Sequence, residues 1–183
     1  MPTETIPMEQ VFEQRAAASQ VEEANRYPTL KSGSYVLQAT KAEIKQYDDG
    51  TQVAHFSAKA TGIPHPTTGV QQKGTVFFDA AWTEQRGVNG KLRTSSKLWG
   101  NILKALWPAL PAGELANKTV GEVCEAMTRF PVSAYVVEAF RIEDATQPNG
   151  YRTTYPRSED EITAARLAGG VPKNYVQNIS AVK

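Results

Sequence analysis

Two long runs of alternating residues, joined by Asp48-Asp49-Gly50, constrain this chain more than any other feature. The first, SYVLQATKAEIKQY, puts Tyr35, Leu37 and Ala39 on one face. The second, TQVAHFSAKATG, puts Ala54, Phe56, Ala58 and Ala60 on one face and His55, Ser57 and Lys59 on the other. A period of two is that of a strand with one side buried. Asp-Asp-Gly predicts a hairpin turn, because glycine supplies the positive φ such a turn needs. Strands joined this tightly are antiparallel neighbours. In the first run the apolar set moves from Ala39 to Ala42 and Ile44, which predicts a bulge.

A third run, GTVFFDAAWT, places Val76, Phe78, Ala80 and Trp82 on one face. Two helical patterns follow. Ser95 or Ser96 caps the first, with Leu98, Trp99, Ile102, Leu103 and Leu106 on its apolar side; burial is expected for Trp99, Leu103 and Leu106. Pro108 and Pro111 end it. The second starts at Thr119, in a capping-box pattern with Glu122, and carries Val120, Val123, Cys124 and Met127. Then PVSAYVVEAFRIE alternates again, a turn lies at 147–150, and a short helix over 158–167 shows a second capping-box pattern, Ser158 with Glu161. The chain closes on a strand, NYVQNISAV. Ahead of everything, residues 8–26 read as a helix with a weakly apolar, alanine-rich face. The expected layout is an N-terminal helical arm over 1–31 and a β-barrel domain over 32–183, with a helical insertion around 95–129. The fold class is mainly β (α+β), a curved antiparallel sheet or barrel of five to six strands with peripheral helices.

Charge is informative only in its distribution. The net charge is +1 over 183 residues. Between Glu84 and Lys104, however, Arg86, Lys91, Arg93, Lys97 and Lys104 face Glu84 alone, and Gly87 and Gly90 punctuate the stretch. A single cysteine, Cys124, allows no internal disulfide and fits a reducing compartment. It sits on a helix pattern, where a buried small hydrophobe is expected. The first residues carry neither a basic n-region nor an apolar h-region, and no apolar run is long enough to span a bilayer. The expected location is the cytoplasm, with no membrane partner.

No motif of catalysis stands out. There is no phosphate loop, dinucleotide fingerprint, nucleophile elbow or zinc-protease helix. One cysteine and two histidines do not make a zinc site. The expectation is a protein that is no enzyme and needs no cofactor or metal. What the residue types do suit is single-stranded nucleic acid, held by rings that stack on bases and cations that track phosphates. Lys59, Arg86, Lys91, Arg93, Arg141, Arg152 and Arg157 are the phosphate candidates. Tyr151 and Tyr155 lead the stacking candidates, since NGYRTTYPR has no apolar period that asks for their burial. Phe77, Trp82 and Tyr135 follow; Trp82 shares a face with Val76 and Phe78, and the core has the stronger claim on it.

The layout resembles phage-encoded single-stranded DNA-binding proteins with an oligonucleotide-binding fold. The likeness runs through the strand after Ser32-Gly33, the hairpin at Asp48-Asp49-Gly50, the GTVFFDAAW strand before NGKLRTSSKLWGNIL, and the terminal YVQNISAV. It implies sequence-tolerant binding of single-stranded DNA in replication or recombination. Such proteins often end in an acidic, partner-recruiting tail; this chain ends SAVK. The competing reading is a phage structural or assembly protein whose N-terminal helix makes a homo-oligomer. An accessory subunit of an enzyme is a third. Whether the helix docks on its own domain or on a neighbour stays open.

Overall fold

The computed structural model describes residues 29–86, 90 and 92–183, with the side chains of 92–94 excepted. The helix expected over 8–26, and the oligomer role given to it, lie outside the described residues.

The alternating runs become strands. β1 (Gly33–Gln46) pairs antiparallel with β2 (Gln52–Gly62), and β2 with β3 (Lys73–Ala81). The register of β1 on β2 shifts between Ala39 and Lys41, the bulge the sequence predicts. The first part of the basic stretch, which the sequence reads as a glycine-punctuated loop, pairs as two short strands, β4 (Gln85–Arg86) with β5 (Leu92–Thr94). Gly90 has a φ of 74° in its turn.

Three helices connect to the second half: α1 (Lys97–Leu106), the short α2 (Ala112–Leu115) and α3 (Val120–Arg129). α3 carries the predicted capping box in full. The Thr119 N–H donates to Glu122 Oε2 at 2.7 Å, and the Glu122 N–H donates to Thr119 Oγ1 at 3.2 Å. β6 (Val132–Glu143) follows, then β7 (Tyr151–Thr154), α4 (Glu159–Leu167) and β8 (Val171–Ser180).

The six-stranded antiparallel sheet runs β3-β2-β1-β6-β7, with β8 also on β6. β8 pairs with β6 from Ser133 to Arg141, which fills one side of that strand. The other side is shared: β1 takes Val132 to Val136, and β7 takes Phe140 to Glu143. The sheet curves until its two margins, β3 and β8, come into contact.

The inner face is the core. Leu37, Phe56, Ala58, Val76, Val132 and Val136 are buried there, with Trp99 and Ile102 of α1 and Val123 and Met127 of α3 closing over them. Trp82, just past β3, packs against Trp99 with ring centroids 5.7 Å apart. Leu103 and Leu106 are only half-buried, against expectation. α1 lies across β3 and β8, the sheet margins. A helix at a margin buries one narrow stripe, here Trp99 and Ile102, and leaves its flanks at the rim. Cys124 is likewise half-buried. A smaller cluster joins Phe140 and Ile142 of β6 to Ala165 and Ile162 of α4.

α4 ends in a turn that depends on glycine. Gly169 has a φ of 75°, its N–H bonds Arg166 O at 3.0 Å, and the Gly170 N–H bonds Ala165 O at 2.9 Å. A Cβ on Gly170 would lie 2.6 Å from Ala165 O. At the other end of α4, only half of the predicted capping box forms. Ser158 Oγ accepts from the Glu161 N–H, but the Glu161 carboxylate accepts from the Arg157 N–H at 2.6 Å instead of from Ser158.

Glu138 is the one charged side chain among the buried described residues, at 6% exposure. Burial raises its carboxyl above the ordinary range, partly offset by Arg166 and Lys31. A raised folded-state value favours the protonated form, so stability falls as pH rises from the ordinary carboxylate range through the folded value. Glu138→Gln should therefore raise the urea midpoint at neutral pH and flatten that decline. Melts of both proteins at mildly acidic and neutral pH check this; a lower neutral midpoint for the variant would show that the carboxylate is well paired.

Candidate nucleic-acid interface

Cross-strand partners share a face, so the register fixes which side chains stand together on the outside of the sheet. His55 of β2 lies opposite Asp79 of β3 and Glu43 of β1. Ser57 lies opposite Phe77 and Lys41, and Lys59 opposite Thr75 and Gln38. The result is an outward patch of rings with lysines around it.

Asp79 organises the rings. Its Oδ1 is 2.6 Å from His55 Nδ1, and its Oδ2 accepts a hydrogen bond from the Tyr47 hydroxyl. The Phe77 ring lies beside the His55 ring, with centroids 6.3 Å apart and planes 11° from parallel. Tyr47 is placed by the hairpin turn: its N–H bonds Thr51 O at 2.9 Å, and its carbonyl accepts from Gly50, whose φ is 83°. The hydrogen bond to the Asp79 carboxylate, followed by burial, pushes the Tyr47 hydroxyl up to about 12. The phenol therefore remains a donor at neutral pH. Phe77 is 42% exposed and Tyr47 46%, large values for rings held in place.

Lysines surround this patch. Lys41, Lys45, Lys59 and Lys73 are all exposed. Lys41 pairs with Glu43 at 2.6 Å, and that contact holds the Glu43 carboxyl below its ordinary value.

The other residues picked from the sequence are distributed over separate places. Arg86 is exposed on β4, with Nη1 3.3 Å from Gly90 O in its own hairpin. Lys91 lies outside the described residues, and Arg93 is described only as backbone in β5. Arg141 and Tyr151 were expected as a separate phosphate binder and base stacker; the structure joins them. The guanidinium carbon sits 4.0 Å from the Tyr151 ring centroid, and Nη2 donates to the Tyr151 hydroxyl at 2.7 Å. One ring face is thereby covered. Tyr151 is half-buried, which corrects the idea that nothing asks for its burial.

Arg152 follows Tyr151 on β7 and, by alternation, stands on the opposite face. It lines a cleft with Ile142, Thr154 and Glu161. Tyr155 is 49% exposed, with its ring 6.0 Å from that of Tyr175. Arg157 is exposed beside the start of α4.

Among these, Lys59 shares the ringed patch on β2 and β3, Arg141 and Tyr151 form a second group on β6 and β7, and Tyr155 stands beside Tyr175 of β8. Tyr47 and Asp79 carried no role in the sequence reading, and His55 was placed outward without one. The signal that joins them is the β2–β3 register. Among the described residues no cluster of His, Cys, Asp and Glu is arranged to hold a metal, and no helix is long and apolar enough to cross a membrane. No protein-family model matches the chain, and comparison with curated proteins and with solved structures returns no match.

Proposed function

We propose that this protein binds single-stranded DNA along the outward face of β1, β2 and β3. The observation that carries this reading is the exposed ring group of Tyr47, His55 and Phe77, tied together through Asp79 and bordered by Lys41, Lys45, Lys59 and Lys73. Rings fixed at a surface cost little to order when a base stacks on them, and stacking accepts every base. Lysines around them track the phosphates on either side. A double helix hides its base faces, so this patch suits unpaired strands. The strand order supports the same reading. A meander β1-β2-β3, closed by β6 and β8 so that β8 reaches β3, is how a small, partly open Greek-key barrel is built. In oligonucleotide-binding barrels the face of the second and third strands holds the nucleic acid.

The test is a fluorescence anisotropy titration of the full chain with a labelled single-stranded oligonucleotide at two salt concentrations. Binding is expected at low salt. The logarithm of the association constant should fall against the logarithm of salt by about 0.7 per phosphate neutralised. No binding at low salt would overturn the proposal and favour a structural or assembly role.

A further inference from the structure

A second groove opens on the same outer surface, away from the ring patch. It encloses about 700 Å³ between the start of α1 and the outward residues of β1, β6 and β8. That volume lies within the range of small-ligand sites. Its walls include Lys97 and Asn101 of α1, Tyr135 of β6, and Gln177 and Asn178 of β8. No Asp or Glu is among its described lining residues. A phosphate entering it meets one cation and no repelling charge.

The amides are ordered. Asn101 Nδ2 donates to Asn178 Oδ1 at 2.9 Å. That bond couples the two side chains and leaves Asn101 Oδ1 as an acceptor and both Asn178 Nδ2 protons as donors. Tyr135, opposite Asn178 in the register, presents a ring that is 45% exposed. A ring beside an adjacent donor and acceptor is the equipment for reading the edge of an unstacked base.

The groove also connects to the ring patch. One outward row crosses the sheet from Lys73 through Thr61, Val36 and Ser133 to Ser180, and Ser34, Tyr135 and Asn178 form the next row. A strand leaving Phe77 and Lys59 along that surface arrives at Tyr135.

We propose that this groove takes one base of the bound strand, adenine in preference to thymine, with Tyr135 on its face, the Asn101–Asn178 pair on its edge and Lys97 on its phosphate. The inference rests on the single-strand reading and adds to it one base-selective position on an otherwise tolerant path. Adenine presents its amino group beside a ring nitrogen on two edges, and paired amide contacts to that group are a recurrent mode of adenine recognition. Thymine presents a matched donor and acceptor on its pairing edge only, and its smaller ring covers less of Tyr135.

The experiment compares an all-thymine oligonucleotide of about 16 nucleotides with the same oligonucleotide carrying one central adenine. The full chain and the variants Asn178→Ala and Asn101→Ala are titrated with both. The wild type should hold the adenine-containing strand about tenfold more tightly. Each variant should bring that ratio close to one, with the salt dependence unchanged. Binders without base readout favour pyrimidine runs, so a preference for adenine is not their default. Asn178 is exposed, so its replacement should leave the fold intact, and a thermal melt confirms this. Equal or reversed affinities in the wild type overturn the inference and leave single-strand binding standing. A preference that survives both substitutions overturns this placement of the site. Failure to bind either oligonucleotide overturns both readings.

Discussion

Phe56→Ala should destabilise the protein by about 3–5 kcal/mol, the range for truncating a fully buried aromatic side chain. Phe56 has no exposed surface and stacks on Phe78 at 5.2 Å between ring centroids. It sits in β2, which is hydrogen-bonded to β1 on one side and β3 on the other. A strand held on both sides moves little, so the cavity would persist. Part of the cost is lost burial and part is the unfilled space. Urea unfolding measures it: the midpoint should fall while the slope stays near the wild-type value. Phe56→Leu should fall between the two proteins, because it restores part of the volume. A loss below about 1 kcal/mol for the alanine variant would mean that the inner face of the sheet is not close-packed.

Phe77→Ala should weaken binding of single-stranded oligonucleotide by about 1–3 kcal/mol, roughly five- to 150-fold in affinity. The residue is 42% exposed, so the melt should change little while the affinity changes greatly. Stacking displaces few counterions, and the salt slope should hold. Lys59→Ala, one strand over, should have the opposite signature: a smaller loss at every sequence and a slope shallower by about 0.7 if one phosphate contact is lost. The two variants, titrated at two salt concentrations, separate the jobs assigned to ring and cation. If Phe77→Ala shifts the slope as much as Lys59→Ala does, that division of labour is wrong even though the protein binds DNA. If neither alters affinity, the path runs elsewhere, and the Arg141–Tyr151 pair becomes the place to examine.

Much of the fold was legible because it is written in local patterns. The alternation of β1 and β2, the turn at Gly50, the shift after Ala39 and the Thr119–Glu122 box each depend on residues close in sequence, and each appears as read. The site was less legible because it depends on register between strands whose connection does not fix it. Residues 63–72 between β2 and β3 allow several alignments, and only one sets His55 opposite Asp79. Alternation alone placed His55 and Phe77 outward but could not say that they stand side by side. Arg141 and Tyr151 show the same limit, because their contact requires the β6–β7 register. The failed half of the second capping box has a different origin. Ser158 and Glu161 have the right spacing, but the Arg157 N–H competes for the same carboxylate.

The position of β6 has a kinetic consequence. β1, β2 and β3 form a meander whose pairings close over short connections, so they can assemble early. β6 pairs with β7 over a short turn but must find β1 across the whole helical segment, bringing Gly33 against Val136. Closing so long a loop is entropically expensive until the contacts it brings are made. Docking of β6 is therefore the expected bottleneck of folding. Core substitutions where β6 meets β1, such as Val136→Ala, should slow refolding more than equally destabilising ones in α4, which packs on the other end of β6. The strand that touches three others would be the hinge of the folding pathway as well as of the sheet.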